Sequence, residues 1–397
     1  MKKLLMLFLI LSITNAFGQE TKPLTYEQKV KDFEYLFEVL SENYGYFGVN
    51  RRLNGIDWLS NKNHYIDKIK NAPDDTTYLF TLKSILADLN NDHVSFSPTL
   101  YYNGYLSAYK NLSKDYPKYK EWVEVLEKPN RHKYWSDILE KRKEFVDENT
   151  KTLNNPKPNY YDSIIDHKKI AIMSISSFNM FKVDKEKVLI SNFLYEIKDC
   201  KYLIIDIQEN GGGSTKYWQD NIVSQIIKEP IVNTTYPIIK DGEINRRFYH
   251  HFFERAKLLN PGDEFSNLSP ELLSDNYYYQ VWRDTIFPKN PIGYDGEIYL
   301  LVSKKVFSSS EGFAQFCKTT NWATVVGEQT GGDGVGSDPA IVILPESGIF
   351  ISYPSLIGLN HSGSLNAEEK TVPDIEITGN SSEERLKKLI NYLSIKK

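Results

Sequence analysis

Apolar positions change period along the chain. Up to about residue 150 they recur every three or four residues, as on one face of a helix. Val30, Phe33, Phe37 and Leu40 follow a Thr25-x-x-Gln28 capping box and predict a helix to about Tyr44. A second helix follows Trp58 to about Lys70. Leu79, Leu82, Leu86 and Leu89 predict a third, with Asp75 or Thr76 as its cap. Further helical spacing runs through Trp122, Val125 and Leu126, then Ile138, Leu139 and Phe145. Pro156 and Pro158 mark residues 152 to 161 as a linker.

Beyond the linker the pattern becomes short continuous apolar runs separated by helical stretches. Strands are predicted over residues 169–175, 202–207, 297–303 and 323–327, and helices over 184–199, 215–228 and from Ser310 onward. Residues 229–296 show no regular period. Residues 341–344 and 349–353, joined through Pro345-Glu346-Ser347-Gly348, predict a hairpin, and 382–395 a closing helix. Strands alternating with helices predict an α/β domain with largely parallel pairing.

Composition narrows the function classes. The chain has 397 residues, 41% hydrophobic and 25% charged, ordinary values for a globular protein with room for a large core. Lys plus Arg number 48 against 52 Asp plus Glu, a formal net charge of -4, so no electrostatic footprint for nucleic acid is present. Lys2-Lys3, the apolar run from Leu4 to Leu11 and the small residues before Gln19 predict a signal peptide over residues 1–19. Export to the periplasm or the extracellular space is the expectation. That apolar run is too short for a membrane span, and no other stretch approaches the required length. Cys200 and Cys317 are too few for a disulfide framework or a cysteine metal site, and read as small buried residues.

Candidate chemistry centres on Phe307-Ser308-Ser309-Ser310-Glu311-Gly312-Phe313. Phe313, Phe316 and Cys317 repeat at helical spacing, so the stretch reads as strand, sharp turn, helix. A serine at that junction sits near free N–H groups, where developing negative charge is stabilised. Ser308 and Glu311 equally fit a capping box, which is a purely structural use of the same hydroxyls. A serine nucleophile needs a base and oxyanion donors. Among seven histidines, His93 stands out by its loop position after a helix and its neighbour Asp92. Asn210-Gly211-Gly212-Gly213, between a strand and a helix, offers backbone N–H groups; ordinary tight turns look the same. Gly331-Gly332-Asp333-Gly334-Val335-Gly336 lacks the following helix that a dinucleotide site requires.

Four ordered motifs carry a resemblance: residues 203–213 ending in Asn210-Gly211-Gly212-Gly213, Ser309-Ser310-Glu311, Thr324 to Gly332, and Val372-Pro373-Asp374-Ile375. Together they resemble the C-terminal processing (tail-specific) serine peptidases and the tricorn core protease. Residues 89–93 resemble that family's Asp-Gly-His element, with Asp92 in place of the small residue before His93. The resemblance implies a crotonase-like (ClpP-like) α/β catalytic core, no cofactor, and a peptide or protein substrate. Family members with a Ser/Lys dyad carry Lys where this chain has Asp333, so the resemblance points to the Ser/His/Glu version. It implies Ser310 as nucleophile, His93 as general base and Glu368 as the orienting acid, with Glu369 as alternative. The implied oxyanion donors are the N–H groups of Gly212 and Glu311, with Gly211 as substitute and Asp92 as support for His93.

The expected organisation is a signal peptide over 1–19, a helical domain over 20–100, a helical insertion and linker over 101–165, and the peptidase core over 166–397. Residues 101–150 contain only Gly104 and no sign of a PDZ-like module. The rival expectation is a catalytically degenerate relative that binds a peptide or a small apolar ligand. The sequence does not define oligomeric state.

Overall fold

The computed structural model describes residues 22–97, 102–128, 131, 133–139, 158–167, 169–260, 265–273, 276–360 and 362–396. The predicted signal peptide and Phe145 lie outside them. The chain forms two compact units. The first takes residues up to 139 together with Ile239–Lys257 and Ser337–Ser355, and the second takes residues 158–238, Leu258–Gly336 and 356–396.

The first unit is mainly helical. Helices span Tyr26–Asn43, Phe47–Asn54, Lys62–Lys70, Asp75–Ala87, Tyr102–Asp115 and Lys120–Leu126. Both bonds of the Thr25/Gln28 capping box form, because the Thr25 hydroxyl accepts from Gln28 N–H and the Gln28 side chain accepts from Thr25 N–H. The cap of the Asp75–Ala87 helix is Asp74, whose carboxylate accepts from Thr77 N–H at 2.7 Å. Asp75 is instead buried, accepts from Leu24 N–H at 3.0 Å and pairs with Lys29 at 3.2 Å. The predicted hairpin is present as Ala340–Ile343 against Phe350–Tyr353, and its second strand also pairs antiparallel with Ser95–Ser97. His93 lies in the turn leading into Ser95–Ser97.

Asp32, fully buried, fastens that hairpin. Its carboxylate accepts from Glu346 and Ser347 N–H, each at 2.8 Å. Burial pushes its pKa up to about 6 from the ordinary 3.8, with the Ser347 and Glu346 donors pulling the other way. A folded-state pKa raised above the unfolded one gives stability that is complete below about pH 4. That stability is lost as pH rises through about 6, by roughly 2–3 kcal/mol. Urea unfolding between pH 4 and 7.5 should show this slope in the wild type and a flatter one in Asp32→Asn.

The second unit is built on a six-stranded sheet: β1 (Tyr160–Ile165), β2 (Ile170–Ile175), β3 (Tyr202–Asp206), β4 (Glu297–Val302), β5 (Thr324–Gly327) and β6 (Ile375–Glu376). Their order is β6-β5-β4-β3-β2-β1, parallel except for β1 against β2. The central runs are continuous because both faces are covered. Ala171, Met173, Leu203, Ile205, Leu300, Val302 and Val325 pack on one face with Ile190 and Phe193 of α1 (Val183–Glu196) and Phe313 and Phe316 of α2 (Ser309–Thr320). Ile170, Ile172, Tyr202, Ile204, Leu301 and Val326 pack on the other with Leu389 and Leu393 of α3 (Ser382–Ile395).

Among the elements that depart from the sequence expectation, two strands stand out in the second unit. β1 occupies residues assigned to the insertion and linker; as an edge strand with Asp162 and Ser163 it lacks a continuous apolar run. The stretch expected to be irregular holds a strand, Ile231–Lys240, paired antiparallel with Trp282–Ile286. Asn233, Thr234, Thr235 and Pro237 hide it, since a half-buried polar strand carrying proline reads as a loop. Cys200 and Cys317 are both buried and free.

Candidate active site

The site grows from the turn between β4 and α2. Its first departure from expectation is Ser308. At φ 58° and ψ −127° this residue lies outside the conformations a side-chain-bearing residue ordinarily adopts, a cost of about 1–3 kcal/mol. It makes no side-chain cap bond, so the expected Ser308/Glu311 capping box does not form. Ser308 N–H donates to Gly332 O at 3.3 Å and Ser308 O accepts from Gly312 N–H at 2.9 Å, which holds the turn at both ends. The residue is half-buried.

The other two serines are closed in. Ser309 is buried, and its hydroxyl accepts from Trp218 Nε1 at 3.3 Å. Ser310, the expected nucleophile, has 0% exposure and donates its hydroxyl to Asn210 Oδ1 at 2.6 Å. Asn210 is itself fully buried and anchored through Nδ2 to Ile175 O at 3.1 Å. In that geometry Ser310 ties the start of α2 to the glycine run, with its hydroxyl turned inside the protein.

The glycine run lies against the turn. Gly212 sits at φ 110°, and a Cβ there would be 2.8 Å from both Phe307 O and the Ser308 Cβ. Only glycine permits this approach. Gly212 N–H donates to Asn210 Oδ1 at 3.0 Å, the same atom that receives Ser310. Gly211 is exposed, with open space where a Cβ would stand.

Glu311 is fully buried and acts as a clamp. Its carboxylate accepts from Thr371 Oγ1 at 2.6 Å, Thr371 N–H at 3.0 Å and Gly332 N–H at 3.2 Å. Burial raises its pKa, while the bonds from Thr330, Thr371 and Gly332 oppose the rise. The Gly331–Gly336 run thereby gains a packing role: a Cβ on Gly334 would sit 2.7 Å from Gly312 N, and one on Gly312 would sit 2.9 Å from Gly334 O. Asp333, at the position a Ser/Lys dyad would give to lysine, is 4% exposed with φ 57°.

Glu368 and Glu369 belong to the short helix Asn366–Glu369. That helix abuts Gly332, since a Cβ on Gly332 would be 3.3 Å from Asn366 O and 3.4 Å from the Ala367 Cα. Glu368 is half-buried, whereas Glu369 is exposed and bonded by Asn360. The second unit thus brings together Ser308, Gly212, Glu311, Gly332 and the helix of Glu368. His93 and Asp92 stand in the first unit, where His93 is half-buried with its backbone N–H donating to Asn91 Oδ1 at 2.9 Å and Asp92 is exposed. Asn210, Thr371 and Trp218 escaped the sequence reading. Asn210 had a signal, being the one side chain able to accept at the head of a glycine run.

A strained serine at a strand-to-helix turn, with a glycine run laid against it, is the layout of a serine-type hydrolase. The sequence model of peptidase family S41 matches residues 169–377, and the chain belongs to that family of serine-type peptidases. The fold is similar to a candidate peptidase from Parabacteroides merdae ATCC 43184, at 18% identity and TM-score 0.57, covering 92% of this chain and 96% of that one. It is also similar to mature CPAF complexed with lactacystin, at 13% identity and TM-score 0.58, covering 93% and 97%. Mature CPAF alone gives 12% identity and TM-score 0.56, covering 93% and 96%.

Proposed function

We propose that this chain hydrolyses peptide bonds through an acyl-enzyme on Ser308, within a crotonase-like core. The observation that carries the reading is the pairing of an uncapped, strained, half-buried Ser308 with a Ser310 whose hydroxyl is buried on Asn210. Ser308 Oγ attacks the scissile carbonyl carbon, its proton passes to the base, and the leaving amine takes that proton as the C–N bond breaks. Water then repeats the sequence on the ester, freeing the acid and restoring the serine. Gly212, whose backbone lies against Ser308, spends its N–H on Asn210 Oδ1 at 3.0 Å, so the oxyanion donors of this reading are its substitute Gly211 and the amide that follows the nucleophile, that of Ser309. With Ser308 as nucleophile, the Glu311 N–H implied with Ser310 gives way to that of Ser309, and the Glu311 carboxylate separately holds Gly332 and Thr371 against the first turn of α2.

His93 as general base and Glu368 as orienting acid rest on the order of motifs along the chain. For Glu368, the packing of its helix on Gly332 adds support. Export, carried by Lys2-Lys3 and the apolar run behind them, completes the reading. The substrate is a peptide or protein, and no helix among the described residues is long and apolar enough to cross a membrane. Mass-spectrometric analysis of peptide mixtures should show cleavage by the wild type. His93→Ala should lower kcat/KM by about 10²–10⁴-fold and remove the limb of the pH profile set by the base. Unchanged turnover in His93→Ala would remove it from the mechanism.

A further inference from the structure

The second unit contains a cleft of about 590 Å³ beside α2. Its walls include Trp218, Tyr236, Trp282, Val335, Leu359 and Val372. Val372 is 58% exposed and Trp282 is half-buried, so apolar surface is open to solvent there. Open apolar surface inside a concave site is what a ligand side chain covers favourably. Most charges at the rim are already partnered: Lys318 with Asp374, Asp284 with Gln219, and Glu369 with Asn360. The recognition chemistry offered is therefore apolar rather than ionic.

The cleft's position relative to the serine turn is set by one helix face. Gly312, Gln315 and Thr319 all line it. They stand four, seven and eleven residues beyond Ser308, which is a single stripe at about 3.6 residues per turn. At about 1.5 Å per residue the stripe runs from about 6 to 16 Å from Ser308. An extended peptide advances about 3.3 Å per residue, so the cleft faces side chains roughly two to five residues from a carbonyl held at Ser308. Its floor is fixed, because the Trp218 ring stacks on Phe313 at 4.9 Å while Trp218 Nε1 donates to Ser309 Oγ. Gly312 leaves the end nearest Ser308 without a side chain.

We propose that this cleft is the subsite that selects a bulky apolar side chain of the peptide substrate, roughly two to five residues from the bond that is cut. The distance to the cut bond rests on Ser308 as nucleophile; the apolar preference does not. Thr319 is exposed, and its hydroxyl bonds the helix carbonyls of Gln315 and Phe316, so Thr319→Trp fills the cleft without touching the core. Trp282→Ala removes one wall.

The test uses Ser308→Ala protein and a series of fluorescent dodecapeptides in which a single Phe moves through an otherwise Ala/Ser sequence. Anisotropy should show Phe peptides binding about tenfold tighter than the Phe-free peptide, a preference of the size one apolar side chain supplies. Adding Thr319→Trp or Trp282→Ala should erase that preference. In the active protein, cleavage should fall two to five residues from the Phe, and both cleft variants should react with a small fluorophosphonate at the wild-type rate. Equal binding of Phe and Phe-free peptides overturns the proposal, as does a Phe preference that survives both variants. If Phe is preferred but the wild type neither cleaves nor reacts, the cleft stands and the peptidase reading falls.

Discussion

Ser308→Ala should abolish peptide hydrolysis, whereas Ser310→Ala should leave a working enzyme of lower stability. The reason is the division of labour at the β4–α2 turn. Ser308 holds the strained conformation and spends no side-chain bond on capping. Ser310 spends its hydroxyl inside the protein, on the Asn210 oxygen that also receives Gly212 N–H. Loss of the attacking hydroxyl should lower kcat by at least about 10⁴-fold, since the remaining machinery cannot replace a covalent step. Loss of the Ser310 bond should cost about 1–3 kcal/mol of stability, by leaving Asn210 Oδ1 short of a donor. Steady-state kinetics and urea unfolding on the two variants separate these outcomes. A dead Ser310→Ala beside an active Ser308→Ala would reverse the assignment.

The second large effect is expected at Glu311. Its buried carboxylate is the shared acceptor for Gly332 N–H and both donors of Thr371, and so it joins three segments distant in sequence. Glu311→Ala removes that acceptor and strands Gly332 N–H and the Thr371 hydroxyl, while Thr371 N–H keeps Thr330 Oγ1 at 2.7 Å, at a cost of about 2–5 kcal/mol. Gly332 O is also the acceptor for Ser308 N–H, so loosening the 331–334 segment should reach the nucleophile directly. The expected result is a protein that folds only at lower temperature, with kcat reduced about 100-fold. Glu311→Gln keeps one acceptor oxygen and should fall between. A stability loss below about 1 kcal/mol in Glu311→Ala, by urea unfolding, would show that the clamp is not needed.

The parallel core was legible because β2, β3 and β4 are buried on both faces and therefore spell continuous apolar runs. The helix ends marked by Thr25 and by the 382–395 pattern were legible because capping and period-3.6 burial are local. What escaped was set by tertiary context. β1 and Ile231–Lys240 are half-buried and mix polar residues or proline into their strands. The Thr25 and Ser308 boxes look alike in sequence, yet only the first forms. Glu311 is drawn away by donors at Gly332 and Thr371, which lie 21 and 60 residues further along the chain. The contact that distinguishes the serines is equally long-range, because the acceptor that closes Ser310, Asn210, is 100 residues away. The Gly331–Gly336 run had a sequence signal for close approach, but its partner, the first turn of α2, became visible only in the fold.

The most direct test of the account is the position of a covalent adduct. Wild-type protein treated with a fluorophosphonate and digested with trypsin yields the peptide from Val306 to Lys318, which contains all three serines. Fragment spectra of that peptide assign the added mass to a single residue. The account predicts phosphonylation at Ser308, with none in Ser308→Ala and wild-type labelling in folded Ser310→Ala. Modification at Ser310, or no modification of the folded wild type, would contradict it.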